Sequence, residues 1–290
     1  MSSLSMALAP AQVALANHRD CAYGIRDFER IVRMIYARAG IALASSKQDM
    51  VYNRLARRLR ALGMQRFDTY LDRLEGDAGH AEWQPFVNAL TTNTTSFFRE
   101  GHHFPVLADL LRARITSHAP AIWCSAASTG EEPYSIAMTV AETLGEQASQ
   151  VRIVASDLDT DVLASAAAGI YPASRVERMD PVRLRRHFQK GAGSQVGNVR
   201  VRPEIRRMVE FSQVNLLDNR PQVEGPFDAI FCRNVLIYFD RATQARVVGR
   251  FAPLLRPDGL LFIGHSESLF HVSDVFRLKG QTVYERTPAS

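Results

Sequence analysis

Between residues 24 and 95 the apolar positions recur at helical spacing. Phe28, Ile31, Val32, Ile35 and Tyr36 follow an i, i+3, i+4, i+7, i+8 pattern, and Gly40 stands where such a helix would stop. Ser45-x-x-Gln48 has the form of a capping box before a second apolar stripe of Val51, Leu55, Leu59 and Leu62, which Gly63 closes. A third helix is expected over residues 70–74, ending near Gly76. A fourth carries Trp83, Phe86, Val87 and Leu90 and stops at the polar run Thr91-Thr92-Asn93-Thr94-Thr95-Ser96. Lys47, Arg54 and Arg58 share one face of the second helix, with Arg57 beside them.

From about residue 120 the pattern changes to short apolar runs alternating with helical segments. Strands are expected over 121–125, 151–156, 209–214, 227–232 and 259–264, with helices after Gly130, Thr160 and Asp240. Such alternation implies right-handed βαβ units and a mostly parallel, doubly wound α/β sheet. Residues 276–279 and 282–285 flank Gly280-Gln281 and read as a closing hairpin. The second and third strands lie too far apart for one crossover helix. Residues 171–208 fill the gap as an inserted small antiparallel β-subdomain, with a helix over 181–188, a Gly-rich turn at Gly191, Gly193 and Gly197, and a strand over 198–202. The expected organisation is a mobile tail (1–23), an all-α domain (24–95) and a sheet domain (96–290) that holds the insertion.

Composition narrows the classes. Among 290 residues, 46% are apolar, which suits a globular chain and not a disordered one. No stretch reaches the roughly 18 apolar residues of a membrane span. Pro10 and Gln12 interrupt the first 20 residues and no basic stretch precedes them, so a tail is expected there and not a signal peptide. Cys21, Cys124 and Cys232 are scattered and odd in number, which fits reduced thiols in a cytosolic protein. Charge is uneven: residues 1–95 carry 12 Lys+Arg and 9 Asp+Glu, and residues 171–210 carry 10 and 4. These basic segments suit an acidic protein surface.

The candidate chemistry gathers where strands end. The turn Ser125-Ala-Ala-Ser-Thr-Gly-Glu-Glu132 has a single glycine, so a dinucleotide fingerprint is absent. Glu131 and Glu132 at the helix start suit the helix dipole, yet they would repel a pyrophosphate. A cationic cofactor without phosphate, such as S-adenosylmethionine (SAM), fits the turn. Asp157, after the second strand, stands where an acid binds ribose hydroxyls, although it or Asp159 could instead cap the next helix. Residues 215–218 end the third strand, where an adenine edge would lie, and Arg233-Asn-Val-Leu-Ile-Tyr238 ends the fourth. Gly264-His-Ser-Glu-Ser268 lacks the final glycine of a nucleophile elbow, and His271 and Asp274 are badly placed for a triad. His102 and His103 have no third ligand at usable spacing, so no metal site is expected.

The strings 91–100 (TTNTTSFFRE), 126–135 (AASTGEEPYS), 155–159 (ASDLD), 227–234 (FDAIFCRN) and 264–267 (GHSE) together resemble the chemotaxis receptor methyltransferases, the CheR family. The resemblance runs in order from about residue 24 to 286. It implies a SAM-dependent protein-glutamate O-methyltransferase acting on the cytoplasmic helices of bacterial chemoreceptors and releasing S-adenosylhomocysteine. It places cofactor contacts on Asn93, Thr95, Arg99, Glu132, Asp157, Asn215, Leu216, Arg233 and Asn234. It assigns Arg99 and Tyr238 to the substrate carboxylate. It also implies receptor docking on the basic face of Arg54, Arg57 and Arg58, and a C-terminal receptor pentapeptide held by the insertion at Gly191, Gly193 and Gly197.

Three other readings are weaker. A nucleic-acid methyltransferase suits the pI near 9.3, but it would usually carry Asn/Asp-Pro-Pro-aromatic or a catalytic Cys after the fourth strand. A dead receptor adaptor conflicts with the intact Arg99, Asp157 and Tyr238. A NAD-dependent oxidoreductase lacks G-x-G-x-x-G.

Overall fold

The computed structural model describes residues 20–219, 222–270, 272 and 274–287. Four helices form the first layer: α1 (Ile25–Ala39), α2 (Gln48–Ala61), α3 (Phe67–Gly76) and α4 (Trp83–Leu90). Their apolar stripes meet in one core in which Ile31, Ile35, Leu55, Leu59, Phe67 and Phe86 are fully buried. The capping box expected at Ser45 does not form. Residues 45–47 make a 3-10 turn in which the Lys47 N–H donates to the Ala44 carbonyl, and α2 then starts from Lys47 with no side-chain cap. Of the expected tail, residues 1–19 lie outside the described residues. Residues 20–23 are tied to the helices. Asp20 accepts from Tyr52 and Arg60, each at 2.8 Å, Cys21 is buried, and Ala22 pairs with the backbone around Arg66.

A helix not anticipated from the pattern, α5 (His103–Arg114), leads into the sheet layer and packs on α6. The chain then runs β1 (Ala121–Cys124), α6 (Glu131–Leu144), β2 (Arg152–Asp157) and α7 (Thr160–Ala168). After the insertion come α9 (Pro203–Arg206), β6 (Val209–Gln213), β7 (Phe227–Cys232), α10 (Arg241–Leu254), β8 (Leu255–Ile263), β9 (Phe276–Gly280) and β10 (Val283–Arg286). The seven strands lie in the order β6-β2-β1-β7-β8-β10-β9; the first five are parallel, and β10 is antiparallel to both β8 and β9. Buried on both faces, β1 reads as a continuous apolar run and β7 as one from Ala229 onward, after the buried Asp228. The final hairpin turns one residue later than expected, at Gln281 and Thr282, both with positive φ. The strand order reverses between β1 and β7, and the carboxyl ends beside that point form the rim where α/β sheets bind ligands.

The insertion holds β3 (Ile170–Pro172), α8 (Pro181–His187), β4 (Phe188–Lys190) and β5 (Asn198–Val201), with an antiparallel sheet in the order β3-β5-β4. The strand expected over 198–202 is β5, the middle one of the three. Val199 pairs with Tyr171 on one side and Lys190 on the other, so β5 has no free edge. The turn glycine that packing demands is Gly191, where a Cβ would fall 1.9 Å from the Gln195 carbonyl oxygen; Gly193 and Gly197 have positive φ in open space. Arg175 reaches Glu131 at 2.6 Å, and Arg183 clamps Glu142 at 2.8 and 2.6 Å, binding the insertion to α6.

Candidate active site

Where the sheet rim faces the helical layer, a cavity of about 570 Å3 opens. The rim supplies Ser125, Ser128, Glu132, Asp157, Asn215, Leu216, Arg233, Asn234 and Tyr238. The connection after α4 supplies Asn93, Thr95 and Arg99. The structure thus brings every residue assigned above to cofactor or carboxylate into one cavity. It adds a wall that the sequence did not reveal: Ile41, Ala42, Leu43 and Ala44 from the segment joining α1 to α2, with Lys47 and Met50 from the start of α2. That segment is tied to the rim, since Ile41 bridges to Phe239 and the Ala42 N–H donates to the Tyr238 carbonyl at 2.9 Å. No local pattern marks these apolar residues as functional; their role depends on the packing of distant segments.

The two paired acids at each strand end divide their work. Asp159 caps α7, accepting from the N–H groups of Asp161 and Val162 and from Asn93 at 2.8 Å. Asp157 is left at the rim, holding the Ser128 and Asp159 N–H groups at 2.8 and 3.0 Å. Burial pushes its carboxyl up, against the pull of those N–H donors. Similarly, Glu131 is buried against Arg175 and Thr129, whereas Glu132 lines the cavity. Burial pushes Glu132 up, and the Arg233 guanidinium at 2.7 Å opposes this. The turn that presents both acids needs Gly130: its φ is +100°, and a Cβ would lie 2.7 Å from the Tyr171 hydroxyl and 2.9 Å from Ala166 Cβ.

Arg233 is itself buried, bridging Glu132 and Glu100, the latter at 3.3 Å, and donating to the Arg99 carbonyl. Arg99 is 30% exposed and its Nη1 donates to the Thr94 carbonyl at 2.9 Å, so part of its guanidinium fork stays available at the cavity wall. Phe98 and Glu100 on either side of it have positive φ, as do Ser128 and Asn234. Non-glycine residues held in that region at a rim fit a site in which backbone strain serves geometry. Asn215 donates to the Arg38 carbonyl and accepts from the Leu217 N–H, which fixes the amide against the helical layer.

The arginine face of α2 is not the free surface its spacing suggested. Arg54 lines the cavity and donates to the carbonyls of Ala89 and Thr91. Arg58 makes a bidentate pair at 2.9 and 2.8 Å with Glu82, which is 7% exposed and also accepts from Tyr70. Arg57 is exposed. Gly191, Gly193 and Gly197 lie in the insertion and do not line the cavity. His102 and His103 do meet a third potential ligand, Glu100, within 4.8 Å. Yet both Nε2 atoms face the Gln281 carbonyl, and the Glu100 oxygens serve His265, Asn234 and Arg233.

One buried and one half-buried carboxylate, a single-glycine turn and an acid-filled helix start fit a cationic ligand without phosphate, with Asp157 at the rim on the side where a diol would bind. These residues therefore fit SAM.

Comparison with known proteins agrees. The profile described as "CheR methyltransferase, all-alpha domain" matches residues 26–91, and that described as "CheR methyltransferase, SAM binding domain" matches residues 93–285. The chain is 56% identical over 257 residues to a chemotaxis protein methyltransferase of Salmonella typhimurium (89% of this chain, 88% of the relative). It is 55% identical to that of Escherichia coli (89% of each chain). It is 52% identical to chemotaxis protein methyltransferase 2 of Pseudomonas aeruginosa (90% of this chain, 93% of the relative). With both domains matched in order and a cavity suited to the cofactor, the chain belongs to the CheR methyltransferase family.

Proposed function

We propose that this protein is a cytoplasmic protein-glutamate O-methyltransferase that modifies glutamate side chains in the cytoplasmic domain of bacterial chemoreceptors. The observation that carries the reading is the meeting of Arg99 and Tyr238 in the cavity that also holds Asp157 and Glu132. When bound, SAM supplies a methyl group on a sulfonium, and transfer to a carboxylate oxygen yields ester and thioether without moving a proton. A glutamate carboxylate, with a usual pKa of about 4.3, is already nucleophilic at neutral pH, so the protein needs no general base. Arg99 offers fork donors and Tyr238 a neutral O–H to orient that carboxylate. Asp157 serves the ribose hydroxyls, Glu132 the positive charge, and Asn215 with Leu216 the adenine edge. Asn93, Thr95, Arg233 and Asn234 complete the wall. The apolar 41–44 segment, tied to the rim at Tyr238 and Phe239, limits the access of water to one side of the cavity, which strengthens the charge interactions there.

Two receptor contacts outside the cavity belong to the same reading. Arg57 is the member of the α2 cluster free to meet the acidic methylation helices. A receptor C-terminal peptide can add to the insertion at β4, where Gln189 and Lys190 are exposed, since β5 is paired on both sides and Pro172 removes a donor from β3. Incubating the protein with SAM and receptor cytoplasmic fragments, then mapping methylated peptides by mass spectrometry, tests the reading. It predicts methyl esters on glutamate side chains; methylation confined to other residue types, or to added nucleic acid, would overturn it.

A further inference from the structure

The transfer chemistry above makes no use of the string 264–267, yet Glu267 is 7% exposed and pairs with no cationic side chain among the described residues. Its partners are backbone N–H groups. One oxygen accepts from Asn234 at 2.9 Å and from Gly264, and the other accepts from Ile237 at 3.3 Å. The receiving segment is the turn that delivers Tyr238: Asn234 has a φ of +57°, and residues 236–238 form one 3-10 turn, closed by the Tyr238 N–H on the Val235 carbonyl. Glu100 holds the same asparagine by its side-chain amide at 3.2 Å. Gly264 lets the strands approach: a Cβ there would lie 2.3 Å from Asn234 Nδ2 and 2.8 Å from Glu267 Oε2. A carboxylate ringed by N–H groups at the head of a turn fixes that turn as a capping residue fixes a helix start.

We propose that Glu267 is a positioning residue for methyl transfer, clamping the 234–237 backbone so that the Tyr238 phenol is held at the cavity. The inference rests on the role given to Tyr238. Glu267→Gln puts N–H groups where N–H groups already point. It should lower kcat between about 10- and 100-fold, as misplacement of an orienting group does. The KM for receptor fragment should stay within roughly twofold, because the receptor contacts outside the cavity are not touched, and the Kd for S-adenosylhomocysteine should rise no more than about threefold, because the clamp reaches the cofactor wall only through the Asn234 backbone. Glu267→Asp keeps the charge but withdraws the carboxylate by one methylene and should give the same split; it carries the test should Glu267→Gln fail to fold. In a Tyr238→Phe background the Glu267→Gln loss should shrink to less than about twofold, since the two act as one unit. Unchanged kcat in folded variants, or the same fold-loss with and without the phenol, would overturn the clamp. Full turnover by Tyr238→Phe alone would instead remove the tyrosine, and with it this role for Glu267.

Discussion

At the residue scale, adjacent acids with similar sequence surroundings have opposite duties. Asp159 caps a helix and Asp157 faces the cavity; Glu131 anchors the insertion and Glu132 faces the cavity. Asp157→Ala should weaken S-adenosylhomocysteine binding by about 1–3 kcal/mol, the usual cost of losing one or two buried hydrogen bonds to a charged group. Asp159→Ala should cost helix stability through its lost cap, about 1 kcal/mol. Calorimetry and thermal melts on the two variants check this division; unchanged affinity in a folded Asp157→Ala would remove that residue from the site. Tyr238→Phe should keep the fold and most of the cofactor affinity while turnover falls, measured at saturating receptor. Residue chemistry alone pointed to both acids of each pair and only the family resemblance chose between them, because the physical choice depends on Arg175, Arg233 and Asn93 arriving from distant segments.

At the element scale, α2 shows where periodicity misleads. Its spacing put Arg54 and Arg58 on one face, but spacing does not say what packs against that face. Here α4 does, and Glu82 takes Arg58. Arg58→Ala would leave the buried Glu82 carboxylate short of its partner and should destabilise the protein by about 1–3 kcal/mol. Arg57→Ala should leave the melting temperature unchanged and reduce receptor methylation in a salt-dependent way. If the two variants melt alike, the assignment of the pair is wrong. The insertion makes a similar point. Its last strand and its glycines were visible in the sequence, but the three-residue strands β3 and β4 were too short to show a pattern, and the order of antiparallel strands depends on pairing and not on composition. Its attachment through Glu142 has a pH signature. Burial pushes that carboxyl up, but hydrogen bonds from Arg183 and His187 outweigh this and hold it at about 2, below its usual 4.5. A depressed carboxyl contributes stability that is complete above about pH 4.5 and fades as pH falls towards 2. Glu142→Gln should therefore melt lower than wild type at neutral pH, by an amount corresponding to about 1–2 kcal/mol after screening, and the gap should narrow between about pH 5 and pH 2. A gap that persists to pH 2 would show that the ion pair is not its cause.

At the scale of the whole molecule, the alternation of strand and helix and the polar ends of three strands sufficed to place the ligand rim. A parallel sheet buries long apolar runs, and its loops must carry the polar chemistry. The cavity's second wall was hidden because residues 41–44 lie far along the chain from the rim they cover. If this cavity joins a SAM methyl group to a receptor glutamate, the product is a base-labile methyl ester. It can be measured by incubating the protein with methyl-tritiated SAM and a receptor cytoplasmic fragment and collecting the label released as volatile methanol by mild base. Base-labile label should accumulate with wild type and fall at least about tenfold with Arg99→Ala, as loss of an orienting donor implies. Label that resists base, or that accumulates equally with Arg99→Ala, would contradict this reading.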